Sequence, residues 1–266
     1  MIDLSGKTAL VTGGSRGIGR ATALTLARAG STVVVADRSD ALRTDGASTS
    51  DLIRAAGGRA ESLLLDVSSS AAVDAVFDDV AARHGIDILV NNAGVLSPGS
   101  VTETSDDAWR SLFSVNVDGT FFCMRAALRH MVPAGRGGKV INVASISGLR
   151  ANPGFAGYCA AKGAMVNLTR QAGIDYAPHG INVNAVAPGF VETDMTAIYD
   201  APIRRALEAQ TPNGKWATAQ QIADTILFLS CGLSDHLCGE VVAVDGGWLV
   251  GTPVVVERVT AAGGIA

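Results

Sequence analysis

Residues 139–162 read KVINVASISGLRANPGFAGYCAAK, an apolar run followed by a glycine-containing loop and an alanine-rich segment. The apolar run predicts a buried strand, and the alanine-rich segment predicts a helix that begins just before Tyr158. Tyr158 and Lys162 are four residues apart, which places them on one face of that helix. Ser145 directly follows the strand, so the loop can fold its hydroxyl over the same face. The stretch therefore predicts that a hydroxyl, a phenol and an ammonium group converge.

This combination of groups suits proton transfer. A phenol titrates near pH 10, but a cation one helical turn away favours the phenolate. We therefore expect Lys162 to lower the pKa of Tyr158, so that Tyr158 can exchange a proton with an alcohol or a ketone. Ser145 would hold the reacting oxygen. In the structural alternative, Tyr158 packs, Lys162 is solvated and Ser145 is a turn residue.

The chain has 266 residues, of which 48% are hydrophobic and 31 are glycine, with a formal net charge of −4. This composition indicates a globular chain with a large core and argues against a nucleic-acid surface. We find neither a signal-peptide pattern nor an apolar run long enough to span a membrane. The cysteines and histidines lack metal-ligand spacing. We expect a cytoplasmic protein with reduced cysteines, no metal, and no nucleic-acid or membrane partner.

A second strand-to-helix junction lies near the N-terminus. The apolar run Lys7–Val11 leads into Thr12-Gly-Gly-Ser-Arg-Gly-Ile-Gly19, and a helix is expected to follow. Such a turn allows backbone N–H groups and a helix N-terminus to bind phosphate. The spacing differs from Gly-x-Gly-x-x-Gly, so the turn alone does not identify a dinucleotide site.

Asp37 follows the next predicted strand, Thr32–Ala36. An acidic residue in this position meets the adenosine ribose in dinucleotide folds and would repel a 2′-phosphate. Arg16 and Arg38 argue the other way, because either can bind that phosphate. We favour NAD over NADP; a cap for a helix or turn is the structural alternative for Asp37.

Apolar runs alternate with helical segments along the whole chain. The pattern predicts an α/β fold, a single-domain Rossmann-type doubly wound parallel β-sheet of about seven strands flanked by helices. Ligands of such sheets bind beyond the carboxyl ends of the strands. Notable residues follow predicted strands in this way: Gly13, Asp37, Asp66, Asn91, Ser145 and Pro188. This agreement favours the catalytic interpretation of Tyr158 and Lys162.

We expect one domain over residues 1–248 and a tail over 249–266. Residues 190–215 have mixed character and predict a mobile cover over the site, which we call the cover. Asn116 is predicted inside a helix that starts after Ser105. Because asparagine is poor in a helix interior, we expect its amide to bond a backbone group or a water.

Together these features resemble the short-chain dehydrogenase/reductase family, in its compact single-domain branch. The motifs that carry the resemblance are Thr12-Gly-x-x-x-Gly-Ile-Gly19, Asp66-Val67, Asn91-Asn-Ala-Gly94, Asn116, Ser145, Tyr158-x-x-x-Lys162 and Pro188-Gly189. The resemblance implies an oxidoreductase that interconverts a secondary alcohol and a ketone with a nicotinamide cofactor. It also implies a homotetramer or a homodimer.

The resemblance further implies roles for individual residues. Tyr158 would be the general acid/base, Lys162 would lower its pKa and hold the nicotinamide ribose, Ser145 would bind the substrate oxygen, and Asn116 would support Lys162 through a water. Cofactor contacts are implied for Gly13, Ser15, Arg16, Gly17, Ile18, Gly19, Asp37, Arg38, Asp66, Val67, Asn92, Ala93, Gly94, Tyr158, Lys162, Pro188, Gly189, Val191 and Thr193. The candidate substrate residues are Ser147, Asn152, Phe155 and Phe190.

Two other functions stay open at this point. An NADP-linked 3-oxoacyl-thioester reductase would use the same catalytic residues, although the acidic net charge and Asp37 do not favour it. A dinucleotide-binding regulator without turnover would need the glycine turn but not the four catalytic residues together.

Overall fold

The computed structural model describes residues 2–38 and 46–251. Nine strands lie in these residues: β1 Thr8–Thr12, β2 Thr32–Asp37, β3 Arg59–Leu64, β4 Ile88–Asn91, β5 Gly138–Val143, β6 Ile181–Pro188, β7 Val191–Glu192, β8 Ala217–Thr218 and β9 Val241–Val244. Seven of them form one sheet in the order β3-β2-β1-β4-β5-β6-β9, and every neighbouring pair is parallel. The prediction of a doubly wound parallel sheet is confirmed.

Helices cover both faces of this sheet. Their bounds are α1 Gly17–Arg28, α2 Thr49–Ala55, α3 Ser70–His84, α4 Asp106–Phe113, α5 Gly119–Ala134, α6 Ala156–Tyr176, α7 Ala201–Gln210 and α8 Ala219–Leu229. One core cluster includes Phe77 of α3 and Met131 of α5, and a second includes Leu26 of α1 and Ile226 of α8. Both faces of the central strands are therefore buried, which explains why β1, β2 and β4 are nearly continuous apolar runs.

Side-chain caps fix several helix starts where the sequence predicts them. Ser69 accepts a hydrogen bond from the Ala72 N–H at 3.3 Å, and Ser105 accepts one from the Ala108 N–H at 3.2 Å. Thr218 forms a capping box with Gln221. Each oxygen satisfies a backbone N–H that has no partner inside its helix, so these starts depend on local sequence.

The helix expected to carry Asn116 is interrupted. A π-helical turn spans Ser114–Asp118, between α4 and α5.

The cover contains β7, a 3-10 turn over Asp194–Ile198 and α7. Its strand β7 pairs with β8, which lies just after the cover in the chain. Residues 39–45, and residues 252–266 of the predicted tail, lie outside the described residues. Among the helices that are described, none combines the length and the apolar character needed to cross a membrane.

Candidate active site

A cleft of about 430 Å³ opens at the carboxyl ends of β1 and β4, where the strand order reverses direction. This is where doubly wound sheets bind ligands. The predicted cofactor residues that line it are Gly13, Arg16, Gly17, Ile18, Asp37, Arg38, Asp66, Val67, Asn92, Ala93, Gly94 and Thr193. The other predicted cofactor residues do not line it: Ser15, Gly19, Tyr158, Lys162, Pro188, Gly189 and Val191.

Several of these other residues have a structural place. Pro188 ends β6 and pairs in register with Val244 of β9. Val191 is buried in the core. A Cβ on Gly189 would lie 2.9 Å from the Asp245 Cα, so glycine permits the close approach of these two segments. Met195 and Ile198 of the cover line the cleft beside Thr193; their proximity to Thr193 in the sequence was the available signal.

The glycine turn between β1 and α1 is packed too closely for side chains. A Cβ on Gly19 would lie 2.2 Å from the Gly13 carbonyl oxygen, and a Cβ on Gly13 would lie 2.9 Å from the Ala93 Cα. Gly17 has a φ of +53°, a conformation that suits glycine. At Gly13 and Gly17 the turn therefore presents bare backbone to the cleft.

The start of α1 suits a phosphate group. Among the described residues, no side chain caps this N-terminus and no acidic residue lies in its first turn. The Ser15 hydroxyl is buried and has no hydrogen-bond partner within the part of the chain described. Because a helix N-terminus carries unpaired N–H groups and a partial positive charge, it binds an anion favourably. These features fit the pyrophosphate of a dinucleotide, with Asp37 placed for the ribose.

Asp37 is fixed by backbone N–H groups. It accepts hydrogen bonds from Ser15 at 3.2 Å and Arg38 at 2.8 Å. The Arg16 guanidinium lies 3.9 Å from the Asp194 carboxylate of the cover. Hydrogen bonds from Ser68, helped by the charge of Arg38, lower the pKa of Asp66. Arg16 and Arg38, the two arginines that could bind a 2′-phosphate, therefore each have an acidic neighbour other than Asp37.

Lys162 is deeply buried, with 4% of its surface exposed, and its Nζ lies behind Gly94 of the cleft, 3.8 Å from where a Cβ on that glycine would be. Its Nζ donates a hydrogen bond to the Val143 carbonyl oxygen at 2.7 Å, and lies 5.7 Å from the centroid of the Tyr158 ring. Burial lowers the pKa of Lys162 to about 8, because desolvation disfavours the ammonium form. The predicted Tyr158 and Lys162 pair is therefore formed, one helical turn apart on α6.

Ser145 completes the group of three. Its hydroxyl accepts a hydrogen bond from the Ser147 N–H at 3.1 Å and hydrogen-bonds the Tyr158 phenol. Burial raises the pKa of Tyr158 to about 12, although hydrogen bonding from Ser145 opposes the shift. For the protein groups alone, the expected net lowering of the Tyr158 pKa is therefore absent, while the stabilisation of the phenolate by Lys162 stays a prediction. The physical reason is that desolvation of the partly buried phenol outweighs the stabilisation of its charge.

Asn116 lies fully buried in the π-helical turn, and its amide bonds the backbone as expected. Its Oδ1 accepts a hydrogen bond from the Val95 N–H at 2.9 Å, and its Nδ2 donates to the Val95 carbonyl oxygen at 2.8 Å. A Cβ on Gly94 would lie 2.8 Å from the Asn116 Oδ1 and 3.8 Å from the Lys162 Nζ. Gly94 therefore lets Asn116 approach Lys162. π-helical turns often occur at functional sites, where they place a side chain.

The four candidate substrate residues have different surroundings. Ser147 is buried beneath Ser145, and Asn152 lies in the following loop with Phe155, at the start of α6. Phe190 belongs to an aromatic cluster with Tyr199, Trp216 and Trp248. Sequence reasoning missed Trp216 and Trp248, because no local motif marks residues that meet only after folding.

Comparison with known proteins identifies the family of this chain over nearly its full length. Residues 13–249 match the family model described as enoyl-(acyl carrier protein) reductase. The chain is 40% identical to gluconate 5-dehydrogenase of Gluconobacter oxydans (strain 621H), over 93% of this chain and 96% of the relative. It is 36% identical to the 3-oxoacyl-[acyl-carrier-protein] reductase FabG of Aquifex aeolicus (strain VF5), over 92% and 98% of the two chains.

A solved structure extends the match to three dimensions. Gluconate 5-dehydrogenase from Burkholderia cenocepacia J2315, in complex with NADP and tartrate, is 37% identical with a TM-score of 0.89. The alignment covers 94% of this chain and 98% of that one. The family match, the identity over nearly the whole length and the shared fold agree with the arrangement of Ser145, Tyr158 and Lys162. The chain belongs to the short-chain dehydrogenase/reductase family of nicotinamide-dependent oxidoreductases.

Proposed function

We propose that Tyr158, Lys162, Ser145 and Asn116 carry out the interconversion of a secondary alcohol and a ketone beside a bound nicotinamide dinucleotide. The single observation that carries the proposal is the convergence of these four residues behind Gly94, which lines the cleft whose glycine turn suits a pyrophosphate. Each residue type has a distinct role in moving one proton while the charge on the substrate oxygen changes.

The residues act in sequence on the substrate hydroxyl. Ser145 hydrogen-bonds the substrate oxygen, and Tyr158 removes its proton during oxidation or returns one during reduction. Lys162 stabilises the phenolate, since with a pKa of about 8 it is mostly protonated at neutral pH. Asn116 holds the Val95 backbone close to Lys162 and so fixes the floor of the site. When bound, the nicotinamide accepts or supplies the hydride and, in its oxidised form, brings a positive charge that also favours the phenolate.

For the cofactor we propose NAD. Asp37 is held with its carboxylate at the edge of the cleft, where it would accept both ribose hydroxyls and repel a 2′-phosphate. Arg16 faces Asp194, which competes for its charge. The Burkholderia cenocepacia relative contains NADP, so NADP is the alternative that measurement must exclude.

A second candidate is an NADP-linked 3-oxoacyl-thioester reductase. The observation that favours it is the 36% identity to a reductase of that class over nearly the full length. The net charge of −4 does not favour an acidic carrier protein as partner. Faster turnover of an acetoacetyl thioester with NADPH than of any alcohol with NAD would establish this second function.

We further propose a homotetramer or homodimer in the cytoplasm. Trp109 of α4 and Phe121 of α5 are 41% and 42% exposed, and burial of these aromatic surfaces by a partner subunit would favour association. The four cysteines are free thiols, consistent with a reducing compartment. The mass in solution from light scattering, with Trp109→Lys as the disrupting variant, tests the assembly.

The experiment that tests the reaction compares wild type with Tyr158→Phe. Wild type should form NADH from at least one member of a panel that includes gluconate, sorbitol, cyclic alcohols and hydroxyacyl thioesters. Tyr158→Phe should lose about 10²–10⁴-fold in turnover, the range for removal of a general acid/base, and still bind NAD. Full turnover by the variant would remove Tyr158 from the mechanism.

A further inference from the structure

Three polar side chains form a chain of hydrogen bonds in the core between the sheet and α6. The Asn91 Nδ2 of β4 donates to the Asn142 Oδ1 of β5 at 2.9 Å, and the Asn142 Nδ2 donates to the Thr169 Oγ1 of α6 at 2.9 Å. Asn142 and Thr169 are 0% exposed, and Asn91 is 2% exposed. Because buried polar groups cost free energy unless they are paired, each of these side chains depends on its partner.

The direction of these bonds follows from the single hydrogen atom of the Thr169 hydroxyl. Within α6, the hydroxyl donates this hydrogen to the Met165 carbonyl oxygen at 2.8 Å. Toward Asn142 the hydroxyl can therefore only accept, so the NH₂ group of Asn142 faces Thr169 and its oxygen faces Asn91. A residue without a hydroxyl in place of Thr169 would leave that NH₂ group buried without this acceptor.

The bond between Asn142 and Thr169 joins the two segments that contact the Lys162 ammonium group. The Lys162 Nζ donates to the Val143 carbonyl oxygen at 2.7 Å, and Val143 directly follows Asn142 on β5. The Met165 Sδ lies 4.0 Å from the same Nζ, and the Met165 carbonyl oxygen accepts the hydrogen bond from Thr169. The spacing of β5 and α6 is therefore fixed beside the place where Lys162 bridges them.

Lys162 and Thr169 also lie on one face of α6. They are seven residues apart, which is about two helical turns. Met165 and Val166, which lie between them, are 1% and 3% exposed, so this face is buried along its length. Because a packed helix moves as a rigid element, a displacement of α6 at Thr169 also displaces Lys162.

We propose that Thr169 is a positioning residue: through Asn142, its hydroxyl sets where the Lys162 ammonium group lies. The inference rests on the proposed function, because it takes Lys162 as the cation that stabilises the Tyr158 phenolate. The ammonium group lies 5.7 Å from the centroid of the Tyr158 ring. A charge interaction weakens with distance and is strong in a desolvated site, so a small displacement of Lys162 changes how well it stabilises the phenolate.

Two substitutions separate the hydroxyl of Thr169 from its packing. Thr169→Val keeps the shape and removes the hydroxyl, whereas Thr169→Ser keeps the hydroxyl and removes a methyl group. Thr22→Val is the matched control, because Thr22 of α1 is also 0% exposed and its Oγ1 has no hydrogen-bond partner among the described residues. If Thr169→Val fails to fold, Asn142→Val is added to it, because removing both ends of a hydrogen bond costs less than leaving one end unpaired.

The position of Lys162 can be measured by NMR without turnover. Lysine that carries an isotope label at Cε gives a simple spectrum, because the chain has only four lysines: Lys7, Lys139, Lys162 and Lys215. The signal that disappears in Lys162→Met belongs to Lys162. Its chemical shift reports the surroundings of the ammonium group, including the nearby Tyr158 ring.

The signal of Lys162 should move in Thr169→Val and in the double variant, because the ammonium group changes its distance from the Tyr158 ring. It should keep its wild-type position in Thr169→Ser and in Thr22→Val. A wild-type signal in Thr169→Val, or an equal displacement in Thr169→Ser, would overturn the inference.

Kinetics then connect this displacement to catalysis. In an active enzyme, Thr169→Val should lower kcat about fivefold to tenfold and leave the KM for the alcohol unchanged, because a displaced Lys162 affects proton transfer by Tyr158. Thr169→Ser should keep a kcat within about twofold of wild type. Equal losses in the two variants would mean that Thr169 only supports the fold. If wild type turns over no alcohol, the proposed function fails, while the NMR signal still decides whether Thr169 positions Lys162.

Discussion

Replacement of Gly19 by alanine should open the glycine turn and weaken cofactor binding. The added Cβ would lie 2.2 Å from the Gly13 carbonyl oxygen and 2.5 Å from the Asn92 Nδ2, well inside normal contact distance. The Gly13 oxygen belongs to the backbone, so the clash can be removed only if the turn itself shifts by roughly an ångström. Overpacking should lower the free energy of unfolding by about 1–3 kcal/mol, and the higher helix propensity of alanine should offset up to about 1 kcal/mol of that loss.

The chain provides a matched control in Gly163. It also lies inside a helix, but a Cβ there would lie 3.8 Å from the Gly148 carbonyl oxygen, which is an ordinary contact distance. Gly163→Ala should therefore gain up to about 1 kcal/mol and raise Tm by about 2–4 °C. Gly19→Ala should instead lower Tm by up to about 8 °C, since its net cost is up to about 2 kcal/mol.

Two assays decide between the variants: thermal unfolding, and NADH binding followed by fluorescence. We expect Gly19→Ala to lose at least about tenfold in NADH affinity, because the shifted turn misplaces the N–H groups at the start of α1. Gly163→Ala should bind as wild type does. If Gly19→Ala melted at or above Gly163→Ala and bound NADH normally, the reasoning from the close contact would be refuted.

Two further predictions concern charge. Burial lowers the pKa of Lys162 from 10.5 to about 8, so the folded protein binds this proton less tightly than the unfolded chain. The buried ammonium group therefore destabilises the folded state. This loss of stability is complete below pH 8 and disappears as the pH rises toward 10.5. Lys162→Met should therefore raise the free energy of unfolding in urea by about 1–2 kcal/mol at pH 7, a figure that allows for the lost hydrogen bond to Val143. At pH 10 the difference between the variant and wild type should vanish or change sign. A difference that did not depend on pH would contradict this prediction. Asp37→Ala should raise the ratio of kcat/KM with NADP to kcat/KM with NAD at least about tenfold, because it removes the charge that repels a 2′-phosphate. Asp106 is an exposed aspartate on α4 and provides the control, so Asp106→Ala should leave this ratio unchanged. An unchanged ratio in Asp37→Ala would exclude Asp37 as the cofactor determinant.

Much of the fold was predictable because its signals are local. Apolar runs specify strands buried on both faces, and hydroxyl caps such as Ser69 and Thr218 specify helix starts. A departure from the predicted fold is the π-helical turn around Asn116. It depends on Val95, which is 21 residues away and supplies both hydrogen-bond partners of the amide.

The sequence by itself determined the parallel sheet, the positions of the glycine turn and the candidates Ser145, Tyr158 and Lys162, because spacing along a strand or helix fixes which side chains share a face. Only the tertiary structure decided how these groups are tuned. The direction of the Tyr158 pKa depends on burial by surrounding segments, and the surroundings of Arg16 depend on where the cover carries Asp194. Solvation and long-range charge are properties of the packed chain, so they cannot be read from the residues that neighbour a group in sequence.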